Sequence, residues 1–300
     1  MIITVTCSPA VDYIVDLDSF HEGEINRAVK EKILPGGKGI NVSRVLNNFG
    51  IPTIATGFLA GFTGNYILDY LHSEGIETDF VRVDGITRVN WKIASPLETA
   101  IDGVGPVYQE QDIEELFDKL LRYKEGDIVC FCGKYPKTMS DDQYFHLLAS
   151  LKLRGIRFVV DTYGERLLQA LKHGPFLVKP NLEELEETLG RKIVNDAEMR
   201  VAALELIARG AENVIVSLGA DGLYFLNNQG QEYRVKAPNG KLVNSVGAGD
   251  STVAGFLYGV TKNMSMEDTV RFACCAGSAS AFSEELASLE GTMSLLETLE

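Results

Sequence analysis

The sequence predicts a three-layer α/β/α fold with a mostly parallel central sheet and a small β lid. Short β-branched runs alternate with longer segments of helical period along most of the chain, the pattern of a parallel sheet with helices on both faces. Two stretches, about 11–34 and 87–108, break this alternation with strand-like runs and no helix between them. Glycine clusters stand directly before two helical segments, where backbone N–H groups can approach an anion.

The elements follow in order. Ile2–Cys7 is apolar and β-branched, with no basic segment ahead of it, and reads as a first strand rather than a signal peptide. Val11–Leu34 holds strand-like runs, followed by a helix at Ile40–Phe49, a strand at Thr53–Phe58 and a helix at Gly64–Glu74. Thr87–Tyr108 includes Val89-Asn-Trp-Lys-Ile-Ala94 and is expected to pair with 11–34 as an antiparallel layer outside the main sheet. Helix Asp112–Tyr123, strand Ile128–Cys132, helix Asp141–Leu153 and strands Ile156–Asp161 and Phe176–Lys179 resume the alternation. Helices Leu182–Leu189 and Ala197–Arg209 precede strand Val214–Leu218, after which Asp221-Gly222 signals a hairpin turn. Helices through Val253–Gly259 and around Arg271–Phe282 complete the pattern. No Pro/Gly/Ser-rich linker divides the chain, so a single domain over 1–300 with an inserted lid is expected.

At 300 residues the chain is long enough to hide roughly 75% of its unfolded surface, so no disulfide or metal staple is required. With 28 Lys+Arg against 42 Asp+Glu the net charge is −14, which disfavours duplex nucleic acid and anionic membranes as partners. Five scattered cysteines form no C-x-x-C pair and suit a reducing cytoplasm. His21, His72, His146 and His173 have no metal-ligand spacing and read as solvated surface residues. There is no G-x-x-x-x-G-K-[ST], and no G-x-G-x-x-G follows the first strand.

The chemistry gathers at the two glycine clusters. Pro35-Gly36-Gly37-Lys38-Gly39-Ile40-Asn41 could be a plain turn, but Lys38 and Asn41 add a cation and an amide to one helix start. In Asn244-Ser-Val-Gly247-Ala248-Gly249-Asp250, successive small residues can form a nest of N–H groups, with Asp250 in the first helical turn. A simple cap would explain Asp250 but not the small residues before it.

Gly36–Gly61 and Asn244–Gly255 resemble the two signature segments of the ribokinase-like phosphofructokinase-B sugar kinases. Lys179-Pro-Asn181-Leu-Glu-Glu184 resembles that family's N-x-x-E element, and Ser217-Leu-Gly219-Ala-Asp-Gly222 its nucleotide-binding turn. Thr87-Arg88-x-Asn90 and Gly103-x-Gly105-Pro106 resemble the phosphosugar branch, and Ala281-Phe-Ser-x-x-Leu286-Ala287 its bacterial members acting on fructose 1-phosphate.

The resemblance implies transfer of the ATP γ-phosphoryl group to a phosphohexose, fructose 1-phosphate first, with tagatose 6-phosphate the alternative and a non-catalytic phosphosugar sensor a further one. It implies Asp250 as the base, Gly247, Ala248 and Gly249 as the anion hole, and Asp12, Gly37, Lys38, Asn41 and Arg88 on the acceptor. Asn181, Ser217, Gly219, Gly222 and Gly249 would serve ATP, and Glu184 Mg²⁺ through water. Lys134, where relatives carry small residues, is a candidate further cation for the acceptor phosphate. A cytoplasmic homodimer joined through the lid is implied, with the cleft as the only strongly positive patch of an acidic protein.

Overall fold

A computed structural model of the chain describes residues 1–299 apart from Glu98, Lys134 and Lys137. It begins with β1 (Ile2–Thr6), a hairpin of β2 (Ala10–Asp16) and β3 (Lys30–Gly36), and α1 (Lys38–Asn48). β4 (Thr53–Ala60), α2 (Gly61–Ser73), the short β5 (Glu77–Thr78) and β6 (Val81–Val83), β7 (Arg88–Ala94) and β8 (Thr99–Ile101) come next. α3 (Glu110–Leu120), β9 (Ile128–Cys132), α4 (Asp141–Leu153), β10 (Arg157–Asp161) and α5 (Glu165–Leu171) lead to β11 (Leu177–Val178). α6 (Leu182–Leu189), α7 (Asp196–Ala208), β12 (Asn213–Ser217), β13 (Leu223–Asn227) and β14 (Glu232–Val235) follow, then α8 (Ala248–Thr261), α9 (Met266–Ala281) and α10 (Leu289–Glu297).

The main sheet has the order β14-β13-β12-β11-β10-β9-β1-β4-β5, with β6 paired to the far end of β4. It is parallel from β5 to β12, and β13 and β14 add an antiparallel edge. Runs such as Ile128-Val-Cys-Phe-Cys132, buried at every residue, are what strands covered on both faces require. Leu116, Leu148, Leu171, Leu185 and Leu206 from α3–α7 pack on one face, and Val45, Phe256 and Phe272 from α1, α8 and α9 on the other. From β1 the chain reaches β4 one way through α1, while β9 to β12 runs the other way through α4–α7. Right-handed crossovers in opposite directions put their helices on opposite faces and open a crevice beyond the carboxyl end of β1.

The two irregular stretches form a separate sheet of order β3-β2-β7-β8. The expectation of an antiparallel layer is corrected here: β2–β3 and β7–β8 are antiparallel, but the central β2–β7 pair is parallel. α1, β4 and α2 intervene between β3 and β7, and so long a connection lets the chain return in the same direction. Asp12 therefore sits within a strand, not in a turn.

Two helices, α5 and α10, were not legible as periodic segments; both are short, of 7 and 9 residues. The Asp221-Gly222 hairpin forms, with Gly219–Asp221 as a 3₁₀ turn joining β12 to the antiparallel β13. His21, His72 and His146 are exposed, whereas His173 is half-buried and stacks on Phe145. The cysteines are all buried, and no helix among the described residues is long and apolar enough to cross a membrane.

Candidate active site

A cleft of about 650 Å³ opens at the carboxyl ends of the central strands, where Thr6, Cys132, Asp161, Lys179 and Ser217 line it. The start of α1 is tied to the end of β1: the Ile40 N–H donates to Thr6 Oγ1 at 2.9 Å in a buried bond. Gly37 enters α1 at φ 126°, a conformation that favours glycine, and the helix has neither a side-chain cap nor an acidic residue in its first turn. Apart from the Ile40 N–H, its first-turn N–H groups have no side-chain partner, and Lys38 and Asn41 line the cleft beside them.

The second glycine cluster delivers the matching half. Gly247 adopts φ 82° and begins α8 without a side-chain cap, unlike α4, α6, α7, α9 and α10, whose Ser or Asn N-caps accept from the first turn. Asp250 lies in the first turn of α8, 6% exposed, and its Oδ2 accepts from Asn41 Nδ2 at 2.8 Å. That bond joins the two helix starts across the cleft. A Cβ on Gly249 would stand 3.2 Å from Lys179 Nζ, so a buried lysine lies directly over the α8 start.

Asp161, at the end of β10 and 2% exposed, is the charge between these groups. Lys38 Nζ donates to its Oδ2 at 2.9 Å, and Lys179 Nζ lies 3.5 Å from its Oδ1, an oxygen that is buried without a hydrogen bond. Burial opposes the Asp161 charge, but Lys179 and Lys38 outweigh burial and hold its carboxyl below the ordinary range. Burial likewise opposes the Lys38 charge, and Asp161 overrides it and holds the ammonium well above its usual value. Asp250 goes the other way: burial and then the neighbouring Asp161 push it from 3.8 to about 6, against the Asn41 hydrogen bond and the two lysines. A carboxylate poised there can take up a proton as a hydroxyl reacts.

The lid sheet supplies the opposite wall. Asp12 accepts from Asn90 Nδ2 at 3.0 Å and from Lys92 Nζ at 3.2 Å. Arg88 reaches Ser8 O with Nη2 at 3.4 Å, and its Nε is buried without a partner.

Asp12, Gly37, Lys38, Asn41, Arg88, Asn181, Glu184, Ser217, Gly247, Gly249 and Asp250 all line this one cleft, and Ala248 lies in the same α8 turn. Gly219 and Gly222 stand in the turn just beyond Ser217; Gly222 is at φ 87° and packs so closely on β14 that a Cβ would meet Val235 O at 2.0 Å. Lys134 lies outside the described residues.

Asn181 and Glu184 have a use that the N-x-x-E reading did not include. They form a reciprocal capping box on α6, Asn181 Oδ1 accepting from Glu184 N and Glu184 Oε2 from Asn181 N, each at 2.8 Å. Among the described residues no group of three or more His, Cys, Asp or Glu is arranged to hold a metal. Asn181 and Glu184 bring oxygen donors to the cleft, which fits Mg²⁺ that arrives with a nucleotide and keeps most of its water.

The expectation of a strongly positive cleft is corrected. Among the described residues Lys38, Arg88 and Lys179 line it against Asp12, Asp102, Asp161, Glu184 and Asp250, and both lysines pair with Asp161 instead of standing free. Asp161, Lys179 and Lys92 are the residues sequence reasoning passed over. Asp161 and Lys179 follow parallel strands at their carboxyl ends, where such folds place their sites, and that position was the available signal.

A family model described as pfkB family carbohydrate kinase matches residues 6–290. The 1-phosphofructokinase of Bacillus subtilis is 44% identical over 99% of this chain and 97% of its own. A tagatose-6-phosphate kinase of Staphylococcus epidermidis is 36% identical over 95% of this chain and 93% of its own. Escherichia coli phosphofructokinase-2, solved with substrates and products, superposes with a TM-score of 0.94 at 29% identity, covering 99% of each chain.

Proposed function

Since the chain belongs to the pfkB family of carbohydrate kinases, we propose that it transfers the γ-phosphoryl group of ATP to the free primary hydroxyl of fructose 1-phosphate, giving fructose 1,6-bisphosphate and ADP. The observation that carries this reading is the convergence of Asp250, the uncapped α8 start and buried Lys179 at one point of the cleft.

In the transfer, the acceptor oxygen forms a bond to the γ-phosphorus as the bond to the bridging oxygen of ADP breaks, and the hydroxyl proton passes to an Asp250 oxygen. Asn41 holds Oδ2 in place and leaves Oδ1 to face the hydroxyl. An ionised carboxylate is too weak to strip an alcohol in advance, so its contribution comes within the transition state. The N–H groups at Gly247–Gly249 hold the equatorial oxygens of the moving group, and Lys179 neutralises charge from the other side. Asp161 pairs with both Lys179 and Lys38 and directs their ammonium groups. Asn181 and Glu184 would hold Mg²⁺ through water, and the ion would supply charge neutralisation to the phosphates of the nucleotide. Ser217, Gly219 and Gly222 present backbone to the nucleotide.

On the acceptor side, Asp12 and Gly37 take sugar hydroxyls, and Lys38 and Arg88 take the sugar phosphate, with the buried Arg88 Nε as an unspent donor. The β3-β2-β7-β8 sheet is a lid on the single domain, closing over the acceptor to exclude water. Its outer face carries the row Ile33–Tyr13–Trp91–Ile101 straight across all four strands, with Trp91 43% and Ile101 53% exposed. A second copy of this sheet is a self-complementary cover for that row, which makes the protein a homodimer through the lid. Sedimentation of Trp91→Asp as a monomer, with wild type as a dimer, is the expected result, and a monomeric wild type refutes it. The buried free thiols suit the reducing cytoplasm.

ADP release with fructose 1-phosphate, tagatose 6-phosphate, fructose 6-phosphate and free fructose tests the assignment. Highest kcat/KM with fructose 1-phosphate is expected. Preference for tagatose 6-phosphate moves the acceptor, and no release with any of them favours a phosphosugar sensor.

A further inference from the structure

Asp12 is a carboxylate placed to meet an acceptor that itself carries a phosphate, and the two repel unless something offsets the charge of Asp12. The lid sheet provides that offset from a single strand. Arg88, Asn90 and Lys92 alternate along β7, so their side chains share one face of the sheet. Asn90 lies directly opposite Asp12 in the β2–β7 register, and Lys92, opposite Ile14, reaches Asp12 on the diagonal.

Each Asp12 oxygen has one partner from this strand: Oδ1 takes Asn90 Nδ2 and Oδ2 takes Lys92 Nζ. Asn90 is anchored in turn, its Oδ1 accepting from the Gly103 N–H at 3.3 Å. A third constraint comes from β3, where a Cβ on Gly36 would stand 2.5 Å from Asp12 Oδ2. The carboxylate rests against bare backbone at that position. Lys92 lines the neighbouring groove rather than the cleft, while Asp12 lines both, so the lysine acts from behind the carboxylate.

We propose that Lys92, with Asn90, is a positioning residue that fixes the Asp12 carboxylate and neutralises it, so that its remaining lone pairs can accept hydroxyls of a sugar that also bears a phosphate. The inference rests on the reading of Asp12 as an acceptor ligand. It adds that selection of phosphorylated over free sugar depends on a lysine that does not touch the sugar. An ionised carboxylate offers about four acceptor sites, so two remain after Asn90 and Lys92 are served.

The test is steady-state kinetics with fructose 1-phosphate and ATP for Lys92→Met, Lys92→Gln and Lys92→Arg, alone and in an Asp12→Asn background. Loss of a charge-assisted bond predicts a KM for fructose 1-phosphate raised about tenfold in Lys92→Met and Lys92→Gln, with KM for ATP unchanged and Lys92→Arg near wild type. In the Asp12→Asn background the same substitutions are expected to have little further effect, because they act through Asp12. Lys30→Met serves as control, since Lys30 shares the sheet face but pairs with Glu284 at 3.8 Å. An unmoved KM in both Lys92→Met and Lys92→Gln overturns the inference, as does an undiminished effect in the Asp12→Asn background. Wild-type turnover of fructose 1-phosphate is measured first: its absence refutes the proposed reaction and this inference together. Its presence with an unmoved KM in the variants refutes this inference alone.

Discussion

Replacing Asp250 by asparagine is expected to disable the protein while making it more stable. Burial and the Asp161 charge raise its carboxyl from 3.8 to about 6, so the folded state binds this proton more tightly than the unfolded chain does. The sign follows from linkage: ionising Asp250 costs stability, the cost being absent below pH 3.8 and complete above pH 6. At pH 8 it amounts to about 3 kcal/mol, which an uncharged asparagine avoids. Urea unfolding of both proteins at pH 8 and pH 4.5 is the assay, and the stability gap between them should narrow by about 2 kcal/mol at the lower pH. The pH-dependent part isolates the charge from any change in packing or in the bond to Asn41. Turnover of Asp250→Asn should fall by about 10² to 10⁴ with ATP binding retained, and wild-type kcat/KM should lose its activity as pH falls through about 6. A stability gap independent of pH, or near-normal turnover in the variant, refutes the placement of a strained, buried base at the start of α8.

Asp161→Asn leaves Lys179 buried without its counter-charge, which costs about 3–5 kcal/mol in chemical denaturation. The Asp161 carboxyl is depressed below 3.8, so its stabilising contribution is present above that pH and lost as pH falls through the folded value; the variant should lack this acid-sensitive component. Gly249→Ala puts a methyl 3.2 Å from Lys179 Nζ, and kcat should fall about tenfold or more while thermal stability holds, because alanine favours the helix. A loss of stability that matches the loss of rate would assign Gly249 to folding instead. Asn181→Ala removes one arm of the α6 capping box and should cost about 1 kcal/mol while also raising KM for ATP. Destabilisation with KM for ATP unchanged would leave Asn181 as a cap only.

The alternation that predicts the main sheet was legible because its strands are buried on both faces and read as continuous apolar runs, as at Ile128–Cys132. The parallel β2–β7 pair was not, since strand patterning records which face is buried and not which way the chain returns. Glycine clusters revealed two helix starts because a glycine at positive φ before a helix is a local requirement. Lys92 was out of reach for the opposite reason, because it acts through Asp12, 80 residues away; Asp161 was marked by its place at the end of a parallel strand, but its pairing with Lys38, 123 residues away, was not. Asn181 and Glu184 show a third case, where one pair of residues satisfies a local rule and a proposed chemical role at once.

The charge of the cleft follows from these long-range pairs. The resemblance led to the expectation of cations gathered around an anionic substrate in a protein of net charge −14, and among the described residues the cleft instead holds more acids than bases. A free lysine would attract any anion from any direction, with a flexible chain to order on binding. Lys38 and Lys179 are instead aimed by Asp161, so what these lysines offer an oxyanion is direction more than charge. The excess of acid has its own use. After burial, which is the larger cause, the Asp161 charge raises Asp250 toward the pH at which it would accept a proton, against Asn41, Lys38 and Lys179. In the proposed mechanism, orientation of Lys38 toward the acceptor phosphate and the raised carboxyl of Asp250 both draw on Asp161, and removing Asp161 should damage both.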